Sequence, residues 1–154
     1  MDSHNLLSFA SNNTALLFRS VSQTHSLGII SALPKFSVIN SAVEVGLSGQ
    51  VNTEAIGTKY VGSVGGAVGF IRGANVSDGG ISIIALPSTA GVNDEKCSQI
   101  TLALNGSTSI ARSDTYVVVT EYRVADLRGV SIQERRRSLL KIAHPDFRDM
   151  LEAK

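Results

Sequence analysis

Cysteine is almost absent from this sequence. Cys97 is the only one among 154 residues, so the chain can form no intramolecular disulfide and no cysteine cluster for structural zinc. A lone thiol fits a reducing compartment, and we expect a cytoplasmic protein. The three histidines, His4, His25 and His144, are too scattered to predict a metal site or a catalytic triad. We therefore expect no metal cofactor.

Tryptophan and an excess of one charge are also missing. Aromatic residues make up 5% of the chain, and 14 Lys and Arg face 13 Asp and Glu, which gives a net charge of +1. This composition argues against a stacking surface for single strands and against general attraction to nucleic acid or anionic membranes. No apolar run approaches the roughly 20 residues of a membrane span, and the first residues do not resemble a signal peptide. We expect neither nucleic acid nor membrane as a partner.

The residues that are present predict a single α/β domain over 1–154. Hydrophobic residues make up 43% of the chain, enough for a core at this length. Compact apolar runs at 81–87 and 116–120 predict strands of a sheet covered on both faces. Two further strands are predicted at 36–40 and 42–47, around a turn at Asn40-Ser41, with a weaker one at 100–104.

Helices are predicted near both ends of the chain. Short helices are expected around 6–10 and 27–33, the second ended by Pro34. The clearest helix follows Ser131, which forms a capping box with Glu134, and His144 next to Pro145 is expected to finish it. The basic run 135–137 is expected to be a solvated face of this helix, with subunit contacts or a CoA phosphate as other interpretations.

The most unusual stretch is YVGSVGGAVGFIRGA, residues 60–74, which holds five glycines. It matches neither the G-x-x-x-x-G-K-[ST] phosphate loop nor the G-x-G-x-x-G dinucleotide fingerprint, so a nucleotide-binding module is a weak hypothesis. The tandem Gly65-Gly66 would let backbone amides approach an oxyanion, although a bulge or a close packing contact explains the glycines equally well. Arg72 is predicted to bind a phosphate or carboxylate, or to form an ion pair.

Three glutamates, Glu44, Glu54 and Glu121, lie beside apolar or small residues, where burial would raise the pKa of a carboxylate. Any of them has the chemistry of a nucleophile, but a structural role is the commoner fate of such residues. His25, within the polar stretch 20–26, is a candidate hydrogen-bond donor to a substrate.

Several segments in order resemble one family. They are VINSAVEVGLSGQVNTEAIG (38–57), YVGSVGGAVGFIRGA (60–74), GGISIIALPSTA (79–90), ARSDTYVVVTEYRVADLRG (111–129) and IAHPDFRDML (142–151). Together they are similar to the C-terminal domain of the acetyl-CoA hydrolase/transferase family. The resemblance runs from about Leu6 to Leu151. That family includes acetyl-CoA hydrolases, succinyl-CoA:acetate CoA-transferases and 4-hydroxybutyrate CoA-transferases.

The resemblance implies a fold of the NagB/RpiA/CoA-transferase type, an open, mostly parallel sheet flanked by helices. It also implies an enzyme whose glutamate attacks an acyl-CoA thioester, with coenzyme A and small carboxylates as substrates. Gly66 matches the glycine whose backbone N–H holds the thioester oxygen, and His25 falls where many members have an assisting asparagine. Val64, Gly65 and Ala67 would line the thioester end of CoA.

The resemblance also marks what this chain does not have. The catalytic glutamate of the family lies upstream of Leu6, so Glu44, Glu54 and Glu121 match other positions. Gly69 replaces an aspartate, Arg123 a glycine, and Gln99 stands where a serine-arginine pair carries the arginine. We expect the chain to be inactive alone, to need the amino-terminal half of the family enzyme, and to form a homo-oligomer. The alternative hypothesis is a non-catalytic CoA-binding or subunit-interaction domain.

Overall fold

The computed structural model describes residues 4–91 and 96–153. Its helices are α1 (His4–Ala10), α2 (Val21–Thr24), α3 (Leu27–Ser31), α4 (Ala67–Val76), α5 (Ile132–Ile142) and α6 (Pro145–Glu152). Its strands are β1 (Ser37–Ser41), β2 (Glu44–Gly46), β3 (Val51–Asn52), β4 (Ala55–Ile56), β5 (Lys59–Tyr60), β6 (Ile81–Ala85), β7 (Thr89–Ala90), β8 (Cys97–Ser98), β9 (Ile100–Thr101), β10 (Val117–Val119) and β11 (Val124–Asp126).

The main sheet has four strands in the order β1-β6-β10-β11. β6 pairs in parallel with both β1 and β10, and only β11 runs antiparallel. Helix α4 is the crossover between the parallel strands β1 and β6, as such a connection requires. The expected α/β class with a mostly parallel sheet and flanking helices is confirmed. A smaller sheet, β3-β2-β9, and two hairpins, β4-β5 and β7-β8, complete the strands.

The core lies on one face of the main sheet. Ile84, Val118 and Ala125 share this face and are almost fully buried. They form one apolar cluster with Ile71 of α4 and Leu139 of α5. The sequence predicted a main sheet with both faces covered. The described helices of this cluster cover only one of its faces.

The predicted turn at Asn40-Ser41 is wrong. Ser41 is the last residue of β1 and lies beside Ala85, whereas β2 begins at Glu44 and pairs with β3 and β9 in the smaller sheet. The segment 42–43 therefore connects two sheets instead of closing a hairpin. Val45 of β2 is inaccessible to solvent, so the apolar pattern indicated a strand correctly but did not indicate which strands it pairs with.

The start of α5 is confirmed and its end is corrected. Ser131 accepts a hydrogen bond from the Glu134 N–H, and the Glu134 carboxylate accepts one from the Ser131 N–H, which is the predicted capping box. His144, however, caps the start of α6 by accepting from the Asp146 N–H. Pro145 takes the first position of that helix, where its missing N–H costs nothing.

Candidate functional site

The glycine-rich loop is anchored at its start by Glu54. The Glu54 carbonyl accepts hydrogen bonds from the N–H groups of Val61 (2.7 Å) and Gly62 (3.2 Å). At the other end Gly65 has φ of 53°, a left-handed conformation that side chains other than glycine rarely adopt. The loop thus turns sharply into α4, and Gly65 is a glycine for conformational reasons.

The amino terminus of α4 is open. Gly66 is its N-cap and forms no side-chain capping bond. Within residues 4–91 and 96–153, no acceptor engages the Gly66 N–H, although the Gly66 carbonyl accepts from the Phe70 N–H at 3.1 Å. Unpaired N–H groups and the helix dipole make such an end favourable for negative charge. The Gly66 N–H is therefore available as a donor, and its role toward an oxyanion stays a prediction.

His25 lies directly against Gly66. A Cβ atom at position 66 would come within 2.3 Å of His25 Cδ2 and 2.5 Å of His25 Nε2, so no side chain fits there without moving the imidazole. The ring also packs on Phe70, with centroids 4.6 Å apart, and is half-buried. The structure therefore brings together Gly66 and His25, two candidates that lie 41 positions apart in the sequence.

Thr24 orients the imidazole, and the sequence did not single it out. Its hydroxyl lies 2.9 Å from His25 Nδ1, closer than the 3.3 Å to the Ser20 carbonyl. When the hydroxyl donates to Nδ1, the neutral ring carries its hydrogen on Nε2, the atom beside Gly66. That tautomer is the one that donates a hydrogen bond at the start of α4. Phe70 was also missed, although its position one helical turn after Gly66 was a usable signal.

The three remaining candidates surround this pair. Val64 and Gly65 lie in the exposed loop, and a Cβ on Gly65 would meet no atom within 4 Å. Ala67 is the first residue of α4, half-buried, and its N–H donates to the Val64 carbonyl at 3.3 Å. The side of the loop at Gly65 is therefore accessible to a ligand.

Two of the three glutamates have structural partners. The buried Glu44 carboxylate accepts hydrogen bonds of 2.8–2.9 Å from the Asn52 side chain, from both the N–H and side chain of Asn105, and from the Gly106 N–H. Glu121 accepts from the N–H (2.8 Å) and hydroxyl (2.6 Å) of Ser88. Burial alone would raise the pKa of Glu121, but these bonds outweigh it and hold the pKa below its ordinary value.

Positions 69, 99 and 123, where the sequence departs from the family pattern, lie in three different environments. Gly69 is the third residue of α4, and a Cβ there would meet only the His25 carbonyl, at 3.6 Å. Gln99 is half-buried, and its side-chain oxygen finds no hydrogen-bond partner among the described residues. Arg123 is exposed in the tight turn between β10 and β11, where its carbonyl accepts from the Thr120 N–H.

The arginines are largely engaged within the chain. Arg72 forms an ion pair with Asp114 at 2.9 Å, the second of its two predicted roles. Arg135 and Arg136 are half-buried and donate to the carbonyls of Arg112 and Leu151. The predicted solvated face at 135–137 is therefore wrong for these two, because their long side chains reach back over the domain; Arg137 is exposed.

In the described parts of the chain, no three metal-ligating side chains cluster, and no helix there is long and apolar enough to cross a membrane.

Comparison with known protein families identifies the family of this chain. The model of the acetyl-CoA hydrolase/transferase C-terminal domain matches residues 3–154. The chain belongs to the acetyl-CoA hydrolase/transferase family. The resemblance of its sequence segments is thereby confirmed. Gly66 and His25 are thus adjacent in a C-terminal domain of this family.

Related proteins of this family include transferases and hydrolases. The chain is 44% identical over 153 residues to a 4-hydroxybutyrate coenzyme A transferase of Clostridium kluyveri, covering 98% of this chain and 35% of the relative. It is 34% identical over 142 residues to an acetyl-CoA hydrolase of Yarrowia lipolytica, covering 90% and 26%. Among solved structures, RipA from Yersinia pestis superposes with a TM-score of 0.89 at 35% identity, covering 97% and 33%. The chain thus spans about a third of the length of such relatives.

Proposed function

We propose that this chain acts as the C-terminal domain of an acyl-CoA hydrolase or CoA-transferase and stabilises the thioester oxygen of the acyl-CoA. The Gly66 N–H and His25 Nε2 are the donors, and Val64, Gly65 and Ala67 flank the thioester end of CoA. The observation that carries the proposal is the contact of the His25 imidazole with Gly66 at the uncapped start of α4.

The chemistry explains why such a pair is needed. When a carboxylate attacks the thioester carbonyl carbon, negative charge moves onto the carbonyl oxygen. Donors already placed around that oxygen stabilise the transition state, and the loss of one costs about 2.7–4 kcal/mol. A helix terminus adds a favourable dipole without any reorganisation. The two donors therefore act on the charge that develops during the reaction.

The nucleophile is proposed to come from outside this chain. Two of its three candidate glutamates are held by hydrogen bonds within the fold, and Glu44 is also buried. Glu54 is half-buried next to the loop, but it does not match the position of the family's catalytic glutamate. The amino-terminal part of the family enzyme is then the required partner, with acyl-CoA and small carboxylates as substrates, in the cytoplasm and in a homo-oligomer.

Calorimetric titration with acetyl-CoA tests the binding part of this function. We expect the chain to bind acetyl-CoA and Gly66→Val to weaken binding at least about tenfold, the equivalent of ~1.4 kcal/mol. The control is Gly28→Ala in α3, where a new Cβ meets only Ser26 Oγ at 3.9 Å. Equal affinity of Gly66→Val and the control would contradict the proposed site.

A thioester assay tests whether the nucleophile comes from outside this chain. The isolated chain should neither hydrolyse acetyl-CoA nor exchange CoA with acetate, because the attacking carboxylate is missing. Robust turnover that Glu54→Gln abolishes would show that the chain carries its own nucleophile and would overturn the proposal.

A non-catalytic CoA-binding or subunit-interaction domain is the second candidate. The unpartnered buried oxygen of Gln99 and the absence of an acid at Gly69 favour it, since both positions depart from the family pattern. A chain that binds no acetyl-CoA but forms a stable homodimer would support this candidate over the first.

A further inference from the structure

The main sheet has a face that no described helix covers. We call this the outer face; the pairing register places on it the side chains of Ile39, Ile81, Ile83, Val117, Val119 and Val124. Successive residues of a strand point to opposite faces, so these six lie opposite the core residues Ile84, Val118 and Ala125. The outer face is therefore apolar along its two central strands, and its edge strands add the polar residues Ser37, Ser41 and Asp126 to Ile39 and Val124.

On the outer face, exposure is greatest on the two edge strands, where Ile39 of β1 is 69% exposed and Val124 of β11 is 63% exposed. On the central strands Ile81, Ile83 and Val119 are half-buried and Val117 is buried. On the inner face Ile84 and Ala125 are each 2% exposed. Sheets built on parallel pairs normally have both faces covered. Exposed apolar residues grouped on one surface are typical of an interaction site.

The same sheet is also open at one edge. Among the described strands, β1 pairs only with β6, so its other edge carries unpaired backbone groups. The strand itself, Ser37–Ser41, contains no charge and no proline, which are the usual protections of a permanent edge. An open edge next to an uncovered apolar face indicates that further strands and helices complete this sheet.

The lengths of the relatives identify the occupant. The chain covers 35% of the Clostridium kluyveri transferase, and the family model that it matches is a C-terminal domain. We propose that the outer face docks the amino-terminal part of the family polypeptide through an apolar helical surface. Helices are the expected cover because they flank parallel strands in α/β proteins, whereas face-to-face pairing of two sheets is the packing of β-sandwiches. This inference rests on the proposed function for the identity of the partner.

Cysteine labelling tests the docking directly. In a Cys97→Ser background, single variants Ile39→Cys and Val124→Cys report on the outer face, and Val76→Cys, 67% exposed on α4, is the matched control. Each is placed in the isolated chain and in a fused protein, in which this chain replaces the matching third of the Clostridium kluyveri transferase. We expect maleimide labelling of positions 39 and 124 to slow at least tenfold in the fused protein, an increase in protection of ~1.4 kcal/mol, while position 76 keeps its rate.

The outcomes separate the possible occupants. Equal labelling of position 39 in the folded fused protein and the isolated chain would overturn the proposal. Protection already present in the isolated chain and lost on dilution would show that a second copy occupies the face, and would also overturn it. A fused protein carrying Gly66→Ala should show the same protection, so failure of the thioester site does not affect this result.

A double variant with charges on the outer face, followed by thermal unfolding, separates loss of docking from loss of folding. Ile39→Lys with Val124→Lys should leave the thermal midpoint of the isolated chain unchanged, because both side chains already face water. The same pair should lower the midpoint of the fused protein, where the charges would be buried. An unchanged midpoint in the fused protein would contradict the docking proposal.

Discussion

Individual residues in this domain are defined by a small number of short contacts. His25 is held by the Thr24 hydroxyl on one ring nitrogen and by Phe70 on its face, and its other nitrogen lies beside Gly66. Together these contacts restrict the rotation of the ring, the tilt of its plane and the approach to Gly66. A donor fixed in this way loses little entropy when a charged oxygen forms next to it.

Glu121 leads to a prediction on pH. Its pKa is below the ordinary value of 4.5 in the folded chain, where Ser88 donates to both carboxylate oxygens, despite opposition from burial. A group whose pKa falls on folding stabilises the protein above its unfolded pKa and loses that contribution as the pH falls through the folded pKa. We expect Glu121→Gln to lower the free energy of unfolding at neutral pH and to have less effect in acid.

Urea unfolding at about pH 7 and about pH 3, on either side of the ordinary carboxylate range, measures this difference. Glu152→Gln, which changes an exposed glutamate at the end of α6, is the control. A Glu121→Gln effect that stays the same or grows at the lower pH would refute the role given to the Ser88 bonds.

At the scale of elements, α3 and α4 pack so closely that a glycine is required. A Cβ on Gly73 would lie 2.3 Å from Ile30 Cγ2 and 2.7 Å from Ile30 Cβ, and Ile30 is only 2% exposed. Gly69 lies one turn earlier in the same helix and has room for a Cβ. The two glycines of α4 therefore differ in packing while sharing the helical conformation.

Alanine at these two positions should have opposite effects on stability. Gly69→Ala should raise the free energy of unfolding by up to about 1 kcal/mol, because alanine is the better helix former. At Gly73 the gain in helix propensity is smaller than the cost of overpacking against Ile30, which is about 1–3 kcal/mol. Gly73→Ala should therefore lower the free energy of unfolding. Chemical denaturation of both variants measures the sign. Stabilisation by Gly73→Ala equal to that by Gly69→Ala would show that α3 yields freely and that the close packing is unimportant.

The sequence predicted those elements whose signals are local. The capping box at Ser131 and Glu134 depends on neighbouring residues and is confirmed. The apolar run at 81–87 is equally local, and the strand that it predicts is found at Ile81–Ala85. The separation of β1 from β2 was not predictable, because nothing near Asn40 and Ser41 encodes pairing with strands from distant parts of the chain. His144 was misassigned for a similar reason: either of two adjoining helix ends could use its side chain.

In the candidate site, too, local sequence signals were readable and contacts between distant segments were not. Gly66 and His25 were named from family resemblance, but their mutual contact depends on how α2 and α3 fold back against α4, which no local pattern reports. Thr24 has a role only once the ring of His25 has an orientation. The sequence thus named Gly66 and His25 but not their mutual geometry, and their role at a thioester stays a prediction.

At the scale of the whole molecule, the domain is compact on one side of its main sheet and open on the other. The chain spans about a third of the length of its relatives. Its outer face exposes Ile39 and Val124, and its β1 edge is unpaired within the described chain. The thioester site that we propose at the start of α4, with a nucleophile supplied from outside this chain, fits the same arrangement. Binding of the partner would then complete both the sheet and the reaction centre.

The most direct test of the central claim is the rate of CoA transfer by the fused protein. Gly66→Ala drives a Cβ into the His25 imidazole, so kcat/KM should fall about 100-fold or more, the typical loss of one oxyanion donor. Gly69→Ala, in the same helix turn but clear of the ring, should leave kcat/KM within a few-fold of the parent. If Gly66→Ala lowers kcat/KM no more than Gly69→Ala does, then Gly66 and His25 do not hold the thioester oxygen.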